Sequence, residues 1–501
     1  MGSSPRSGAL LIRADSGGAH GVGHVMRMIA LAQAAQQRGL RVTLAYCTCP
    51  PSLVHRLAEE GIAAVALGDQ RSGSPADIGR TVCLARQLGC EWVVLDGYEF
   101  REDFQTALTE AGFRVLCMDD FGHCRRWPAE LVVNQNLAAE ADKRYQERSA
   151  FRHTLLGSRY ALLRREFRDS SPLGRSDTAW PGRLLVTFGG VDPDKATLRV
   201  LQAMRGIPAA RGLRLVVLVG PGNLHADEII RTAAAFPHEV EILRDVRDMP
   251  ALYRSVQGVV SAGGSSCYEW LYMHLPGWVT SIADNQDSLV AALLHPGLAA
   301  GVARLATCPD GDLAHSLGAW LGSRPNRPPP PVDGWGADRV AAMLSEFPYF
   351  VRPIEPTQDA EFLFSLANEP EVRAAGFHTQ PIAWTDHLAW LQRHGQHPDS
   401  RLFILEAADD GPAGQVRFHR QPGDIWEIGV SIATPYRGRG ISEPAVKLGM
   451  AAVARTERVT RWRASIRPEN TRSRRLFEAL GFESAGPDGN PIVLERAPDT
   501  P

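Results

Sequence analysis

Lysine is nearly absent from this chain. Lysines and arginines together number 54, yet only Lys143, Lys195 and Lys447 are lysines, and the arginines are scattered along the whole length. Few residues are therefore open to Schiff-base chemistry, and no basic tract stands out. Cysteine is scarce and carries no paired spacing: eight occur, all between Cys47 and Cys308, with no C-x-x-C. Cys47/Cys49 and Cys117/His123/Cys124 come nearest to a metal cluster, but they read as reduced thiols partly in the core, so no metal is expected. Long apolar runs are missing too. The stretch 9–12 stops at Arg13, too short for a signal peptide, and nothing reaches the roughly 20 apolar residues of a membrane span. A formal net charge of −2 gives no general attraction to nucleic acid or anionic lipid. The expectation is a cytoplasmic protein with no membrane span and no nucleic-acid partner.

The 501 residues suit roughly three units of about 150 each, and the 44% hydrophobic content is that of a globular chain. Short apolar runs at 10–12, 42–45, 63–67, 92–95, 115–118 and 131–133 read as buried strands, with helical patterns such as 25–38 and 52–60 between them. This is the β-α-β alternation of a parallel sheet. It restarts after a polar stretch at 168–181, with strands expected at 184–188, 215–219, 240–243, 259–262 and 279–282. SRPNRPPPP at 323–331 reads as a stiff spacer. The predicted fold class is α/β: a Rossmann-like domain at 8–167, a second at 181–322, a proline-rich linker at 323–349, and a third unit at 350–496. Ligands of the paired domains should sit between them, at the carboxyl ends of the strands.

Two glycine turns carry the chemistry of the front part. The first strand runs into RADSGGAHGVGHVMR (13–27), a strand, a glycine turn and a helix start, which together suit an anion. His24, in the first helical turn, can face the cleft and exchange a proton near neutral pH. The second half repeats the device in AGGSSCYEW (262–270). There Ser265 and Ser266 suit N-cap duty or phosphate contact, and Glu269 can accept from ribose hydroxyls. DNQ (284–286) again follows a strand.

With VLDGY (94–98), MDD (118–120), NQN (134–136), LLGSRY (155–160), REF (165–167) and TFGGVD (187–192) in the same order, this series resembles the UDP-sugar hydrolase of pseudaminic acid biosynthesis, a GT-B fold related to the MurG-type glycosyltransferases. The resemblance spans about 9–320. It implies hydrolysis of UDP-2,4-diacetamido-2,4,6-trideoxy-β-L-altropyranose, with water attacking the anomeric carbon, inversion, and UDP leaving. It makes His24 the base and places Arg13, Asp15, Gly23, Tyr98, Gly264, Ser265, Ser266, Glu269, Asn285 and Gln286 around the UDP-sugar. A MurG-like transferase using another acceptor, and an inactive sugar-nucleotide-binding regulator, are the competing readings.

The third unit has a strand at WEIGVSI (426–432), then YRGRGIS (436–442), then a helix from about 443; arginines and glycines between strand and helix suit a pyrophosphate. A second strand (463–466) leads into NTRSRRLFEALGF (470–482). The arrangement resembles the GNAT acetyltransferases, which implies acetyl-CoA as cosubstrate, held by Ile432, Arg437, Gly438, Arg439, Gly440, Ile441, Ser442, Asn470 and Ser473. Ser442 stands where Gly or Ala is usual, and Phe477 stands where many members carry a thiolate-protonating tyrosine. NEPEVR (368–373) and HLAWL (387–391) resemble the sugar-nucleotide acetyltransferase that precedes the hydrolase in that pathway. The amine acceptor would then be the UDP-linked 4-amino sugar and Glu427 its base. His378, His387 and His419 are weaker candidates.

Overall fold

The computed structural model describes residues 8–17, 21–146, 153–170, 180, 182–207, 213–295, 297–323, 331–395, 397–486 and 489–498. It divides into two compact units at 344/345.

The front unit holds two parallel sheets. In the first, β1 (Ala9–Ala14), β2 (Arg41–Tyr46), β3 (Ala63–Ala66), β4 (Cys90–Asp96), β5 (Arg114–Met118), β6 (Leu131–Asn134) and β7 (His153–Leu156) lie in the order 3-2-1-4-5-6-7. In the second, β8 (Arg183–Thr187), β9 (Arg214–Val219), β10 (Glu239–Arg244), β11 (Gly258–Ala262), β12 (Gly277–Ser281) and β13 (Ala300–Arg304) lie in the order 10-9-8-11-12-13. Every strand pair in both sheets is parallel. The central strands are apolar over most of their length because both faces are buried. In each sheet the chain order reverses beside the first strand, at β1/β4 and β8/β11. Loops leaving those strands part there and open a crevice. The two expected domains are thus both present, each with one more edge strand (β7, β13) than the apolar runs suggested. Both are short and only partly buried, and their sequences, HTLL and AGVAR, lack a long continuous apolar stretch.

Part of the expected 323–349 spacer is structured. Residues 324–330, most of SRPNRPPPP, lie outside the described residues. The helix Gly336–Met343 packs on the first half, with Ala337, Val340 and Ala341 buried in one core with Val25, Met28 and Ala32 of the helix Gly23–Gln37. The chain thus crosses back from the second sheet to the first. Gly336 permits the approach, since a Cβ there would lie 2.3 Å from the Ala161 carbonyl oxygen.

The rear unit is a single twisted sheet of β14 (Tyr349–Pro353), β15 (Ser400–Ala407), β16 (Gly411–Gln421), β17 (Ile425–Ile432), β18 (Arg461–Ile466), β19 (Glu483–Ser484) and β20 (Ile492–Arg496), in the order 14-15-16-17-18-20-19. All pairs are antiparallel except β17–β18. One face packs its Phe418, Trp426 and Trp462 with Ala445, Val446 and Val453 of the helix Ser442–Ala454. On the other face Leu402 and Ile404 pack with Leu363 of the helix Pro356–Asn368 and Leu391 of the helix Trp384–His394.

Gly336→Val should force the returning helix off the first sheet, costing roughly 2–3 kcal/mol, the scale of overpacking a close contact. Thermal unfolding of the whole protein should show the midpoint of the front unit lowered by several degrees; an unchanged midpoint would show that this helix does not hold the two halves together.

Candidate functional site

The crevice between the two sheets of the front unit encloses a cavity of about 610 Å³. One wall starts at β1. Gly17 and Gly21 take positive φ (110° and 61°), and the Ser16 hydroxyl and the Gly17 N–H both donate to the Gly21 carbonyl. The chain is thereby turned sharply into the helix Gly23–Gln37; Gly18, Ala19 and His20 of this loop lie outside the described residues. His24 and Arg27 are three apart on that helix and so project to the same side. Arg27 is held bidentately by Asp96, at the end of β4 (2.7 and 2.6 Å), and by Asp120, just after β5 (2.8 and 3.1 Å). His24 Nδ1 lies 3.4 Å from Asp96 Oδ1. Its ring stands edge-on to Tyr98, centroids 5.1 Å apart, and the Tyr98 hydroxyl donates to Asp120 at 2.6 Å.

Burial pushes the Asp120 carboxyl up, but Arg27 and the Tyr98 hydroxyl outweigh it and bring it to about 2. Behind them Asp119 accepts the backbone N–H groups of Asp120 (2.8 Å) and Gly122 (3.0 Å), which fixes where Asp120 points. His123 pairs with Asp119 at 2.9 Å, and Gln105 Nε2 donates to both the Cys117 and Cys124 sulfurs. The cysteine–histidine cluster noted in the sequence is thus part of the support beneath Tyr98.

The second sheet supplies the facing wall. Loops after β8 (Gly189, Gly190), β9 (Gly220) and β11 (Gly263–Ser266) line it, and the backbones at 190 and 220 touch so closely that a Cβ on Gly220 would lie 2.4 Å from Gly190 Cα. Among the described residues four polar contacts cross between the halves, one of them Arg247 to Glu59 (2.7 Å). Asn285 donates to the Tyr98 hydroxyl (2.9 Å), the Tyr268 hydroxyl donates to Asn136 (3.0 Å), and Arg164 pairs with Glu269 (3.1 Å). Tyr253 also donates to Glu269 at 3.2 Å. Burial raises the Glu269 carboxyl above its ordinary value despite Arg164 beside it.

Of the residues singled out in the sequence, Gly23, His24, Tyr98, Gly264, Ser265, Ser266, Glu269, Asn285 and Gln286 line the cavity. Arg13 and Asp15 do not. Arg13 is fully buried, paired to Asp77 (2.9 Å) and Asp15 (2.8 Å), and Asp15 accepts the backbone N–H groups of Cys47 and Thr48. They pin the glycine turn from behind, because a buried guanidinium needs every partner it can reach. Ser265 occupies the N-cap position of the helix Ser266–Tyr272 without making a side-chain capping bond. Arg27, Asp120, Asn136, Arg164 and Tyr268 also line the cavity. The spacing of Arg27 from His24 was the available signal for the first of these.

In the rear unit the two parallel strands part. β17 and β18 pair only over Ile425–Glu427 with Arg461–Arg463, then run on apart to Ile432 and Ile466. At the open end the chain turns through Gly438 (φ 76°) and Gly440 (φ 72°) into the helix Ser442–Ala454, and no atom lies within 4 Å of where a Cβ on either glycine would stand. This leaves an accessible backbone cradle. Arg437 donates to the Ile432 carbonyl (2.8 Å) and pairs with Glu369 and with Glu371 (2.9 Å), so it ties the turn to the strand end. Arg439 lies over the Tyr436 ring. Asn470 is the N-cap of the helix Thr471–Ala479, accepting the Ser473 N–H at 3.1 Å, so its side chain serves the helix. Glu427 accepts from Gln421 at 3.3 Å. His387 is buried against Ala360, a packing role, and burial with Arg417 nearby pulls His419 down to about 4.

Two Rossmann-like halves around a crevice, with a terminal helix returning to the first, define a GT-B-type unit, and a mixed sheet with parted parallel strands defines the second unit. Residues 350–483 match the acetyltransferase (GNAT) domain family. Over 480 residues the chain is 21% identical to the uncharacterised protein MJ1062 of Methanocaldococcus jannaschii, covering 92% of this chain and 94% of that one. It is 26% identical over 169 residues to the spore coat polysaccharide biosynthesis protein SpsG of Bacillus subtilis, covering 32% of this chain and half of SpsG. Among solved structures it is similar to Acinetobacter baumannii MurG, 15% identical, covering 68% of this chain and 99% of that one, with a TM-score of 0.45. The chain thus joins two Rossmann-like halves to a unit whose residues 350–483 match the GNAT acetyltransferase domain family.

Arg27→Met should leave Asp96 and Asp120 facing each other without a cation, costing about 3–5 kcal/mol at pH 7. In the native protein the Asp120 carboxyl sits below its unfolded value, so its contribution is present above about pH 4 and is lost as pH falls toward 2. In the variant the buried carboxyls are raised, so stability should be lost as pH rises. Unfolding midpoints of the two proteins should converge near pH 4 and diverge by pH 8; a gap independent of pH would refute this account.

Proposed function

We infer that the front unit hydrolyses a UDP-linked 2,4-diacetamido-trideoxy hexose to UDP and the free sugar, and that the rear unit acetylates the 4-amino group of that sugar's UDP-linked precursor with acetyl-CoA. The observation that carries the front reading is His24 on the cavity wall with Asp96 beside its Nδ1. A carboxylate at that position favours the tautomer protonated on Nδ1, which makes Nε2 the basic nitrogen. Asp96 is itself held in place by Arg27, so it would orient the ring. His24 would take a proton from water as that water attacks the anomeric carbon opposite the diphosphate. Backbone and hydroxyl donors of Gly264–Ser266 would receive the departing UDP, with Glu269 accepting from the ribose. Tyr98 and Asn285, joined to each other, would lie along the sugar.

The GNAT match and the parted β17–β18 strands support the rear reading. The cradle at Gly438–Gly440 and the start of the helix Ser442–Ala454 suit the pyrophosphate of acetyl-CoA. Its acyl thioester is the electrophile. Glu427 would draw the proton from the sugar's ammonium so that the neutral amine can attack. With Phe477 buried in the core, thiolate protonation falls to water or to another side chain. The two reactions are consecutive, and tethering them raises the local concentration of the enzyme that acts next. The polysaccharide role named for SpsG fits a sugar-nucleotide substrate.

Full-length protein given the UDP-diacetamido sugar and no acceptor should release UDP; a strict need for an added acceptor would favour a MurG-like transferase. With the UDP-4-amino sugar, release should require acetyl-CoA. His24→Leu should slow release by roughly 100-fold or more while UDP affinity by calorimetry is largely kept; near-normal turnover would remove His24 as the base. In the rear unit, Gly440→Asp puts a side chain and a negative charge into the cradle and should abolish acetyl-CoA binding, read as loss of CoA release with any amine. Retained acetyl transfer would displace the cofactor from this turn.

A further inference from the structure

The face of the rear sheet opposite the helix Ser442–Ala454 carries a strip of polar side chains. Strand residues alternate between faces, so Gln415, Arg417 and His419 of β16 share a face with Glu427, Gly429 and Ser431 of β17. The register sets Gln415 against Ser431, Arg417 against Gly429 and His419 against Glu427. On the other side of β16 the same face continues into Ile404, Leu402 and Ser400 of β15. The helices Pro356–Asn368 and Trp384–His394 cover the apolar part at Leu402 and Ile404. The polar strip begins where that cover ends.

Three donor groups on or beside this strip have unfilled capacity among the described residues, although Arg373 Nη1 donates to the Gln380 carbonyl at 3.3 Å. The Arg417 guanidinium makes no hydrogen bond and no ion pair, though its residue is exposed to solvent. Gln415 Nε2 is buried without an acceptor, and so is Nε of Arg373, from the short helix Pro370–Ala375. The Arg417 side chain is crowded by protein atoms although part of it reaches solvent; that crowding first, and the Arg373 charge second, lower its pKa, and Glu427 opposes them. Two positive guanidinium groups and an amide donor thus meet on one stretch of this face, where an anion would offset their charge.

The strip is also built to seat Arg417. A Cβ at position 429 would lie 2.5 Å from Arg417 Nε, so the guanidinium stem rests directly on the strand at Gly429. The segment carrying Arg373 is fastened by Arg467, which donates to the carbonyls of Ala374 (3.0 Å) and Gly376 (3.2 Å). The return of the loop is clasped by Asn368, bonded twice to Ile382.

We propose that Arg417, seated on Gly429, forms with Arg373 and Gln415 an anion subsite beside Glu427 that takes the phosphate of the amine acceptor. This rests on the acceptor reading above and sharpens it: the rear enzyme selects amines linked to a phosphate, and the phosphate is bound on the sheet face away from the acetyl-CoA turn. A planar guanidinium with both edges open matches a phosphate oxygen pair. Glu427, two residues along β17 from Gly429, would then face the amine end of the same molecule.

Steady-state acetylation by the full-length protein tests this. The probes are the UDP-linked 4-amino sugar, its 1-phosphate and the unlinked sugar. The native protein should show a KM at least tenfold lower for the phosphorylated acceptors than for the unlinked sugar. The 1-phosphate arm shows whether one phosphate suffices or the nucleotide diphosphate is needed. Arg417→Ala should raise KM for the phosphorylated acceptors at least tenfold, the unlinked sugar far less, and leave KM for acetyl-CoA unchanged, while Arg417→Lys should recover part of the loss. Gly429→Val should repeat the Arg417→Ala pattern by displacing the side chain. A second probe is independent of the sugar: inorganic pyrophosphate should inhibit acetylation of a simple primary amine competitively with the amine, and Arg417→Ala should relieve it. An equal loss on all three acceptors, a changed acetyl-CoA KM, or pyrophosphate inhibition untouched in Arg417→Ala overturns the subsite. Refusal of the UDP-linked sugar with pyrophosphate competition intact overturns only the acceptor reading.

Discussion

The front site depends on one buried cation shared by two carboxylates. Arg27 is reached by Asp96 at the tip of β4 and Asp120 beyond β5, so a single side chain fastens the helix that carries His24 to two adjacent strands. Without it, two ionised carboxylates would confront each other out of water. The arrangement also decides the electrostatics around His24 and Tyr98. Asp96, held by Arg27, lies beside His24 Nδ1, and Asp120 holds the Tyr98 hydroxyl, which Asn285 meets from the opposite half. Burial, charge and position are therefore set together, and a change in any of the three carries to the others.

Glycine does the complementary work of bringing backbones close. The turn at Gly17–Gly21 needs positive φ, and the contact of Gly190 with Gly220 leaves no room for a side chain. Both lie at the carboxyl ends of parallel strands, where the reversal of strand order opens the crevice. A wall of backbone with few side chains suits a diphosphate, since N–H groups can approach oxygens that bulk would keep away. The returning helix Gly336–Met343 ties the second half to the first and so holds the crevice between them.

The rear unit makes its opening differently. β17 and β18 pair for a short stretch and then separate, and the separation exposes strand backbone that a sheet would otherwise satisfy within itself. The glycine turn that follows supplies one end of the resulting groove. The opposite face, with Arg417 lying on Gly429, carries a strip of polar side chains.

Local features of the chain were enough to read the order of elements. Apolar runs marked the central strands of both parallel sheets, glycine turns marked β1, β11 and the approach to residue 442, and the three-part organisation followed from where those patterns restart. Edge strands β7 and β13 and the helix after the prolines escaped, because their burial comes from neighbours distant in sequence. Within the single stretch 13–27 the limit is plain. Arg13 and Arg27 carry the same charge in the same motif, yet one pairs behind the turn with Asp77, 64 positions away, and the other lines the cavity through Asp96 and Asp120, 69 and 93 positions away. Sequence determines that a cation stands at each place. Only the tertiary structure decides which carboxylate reaches it, because pairing of buried charge is settled by non-local geometry that no periodicity records.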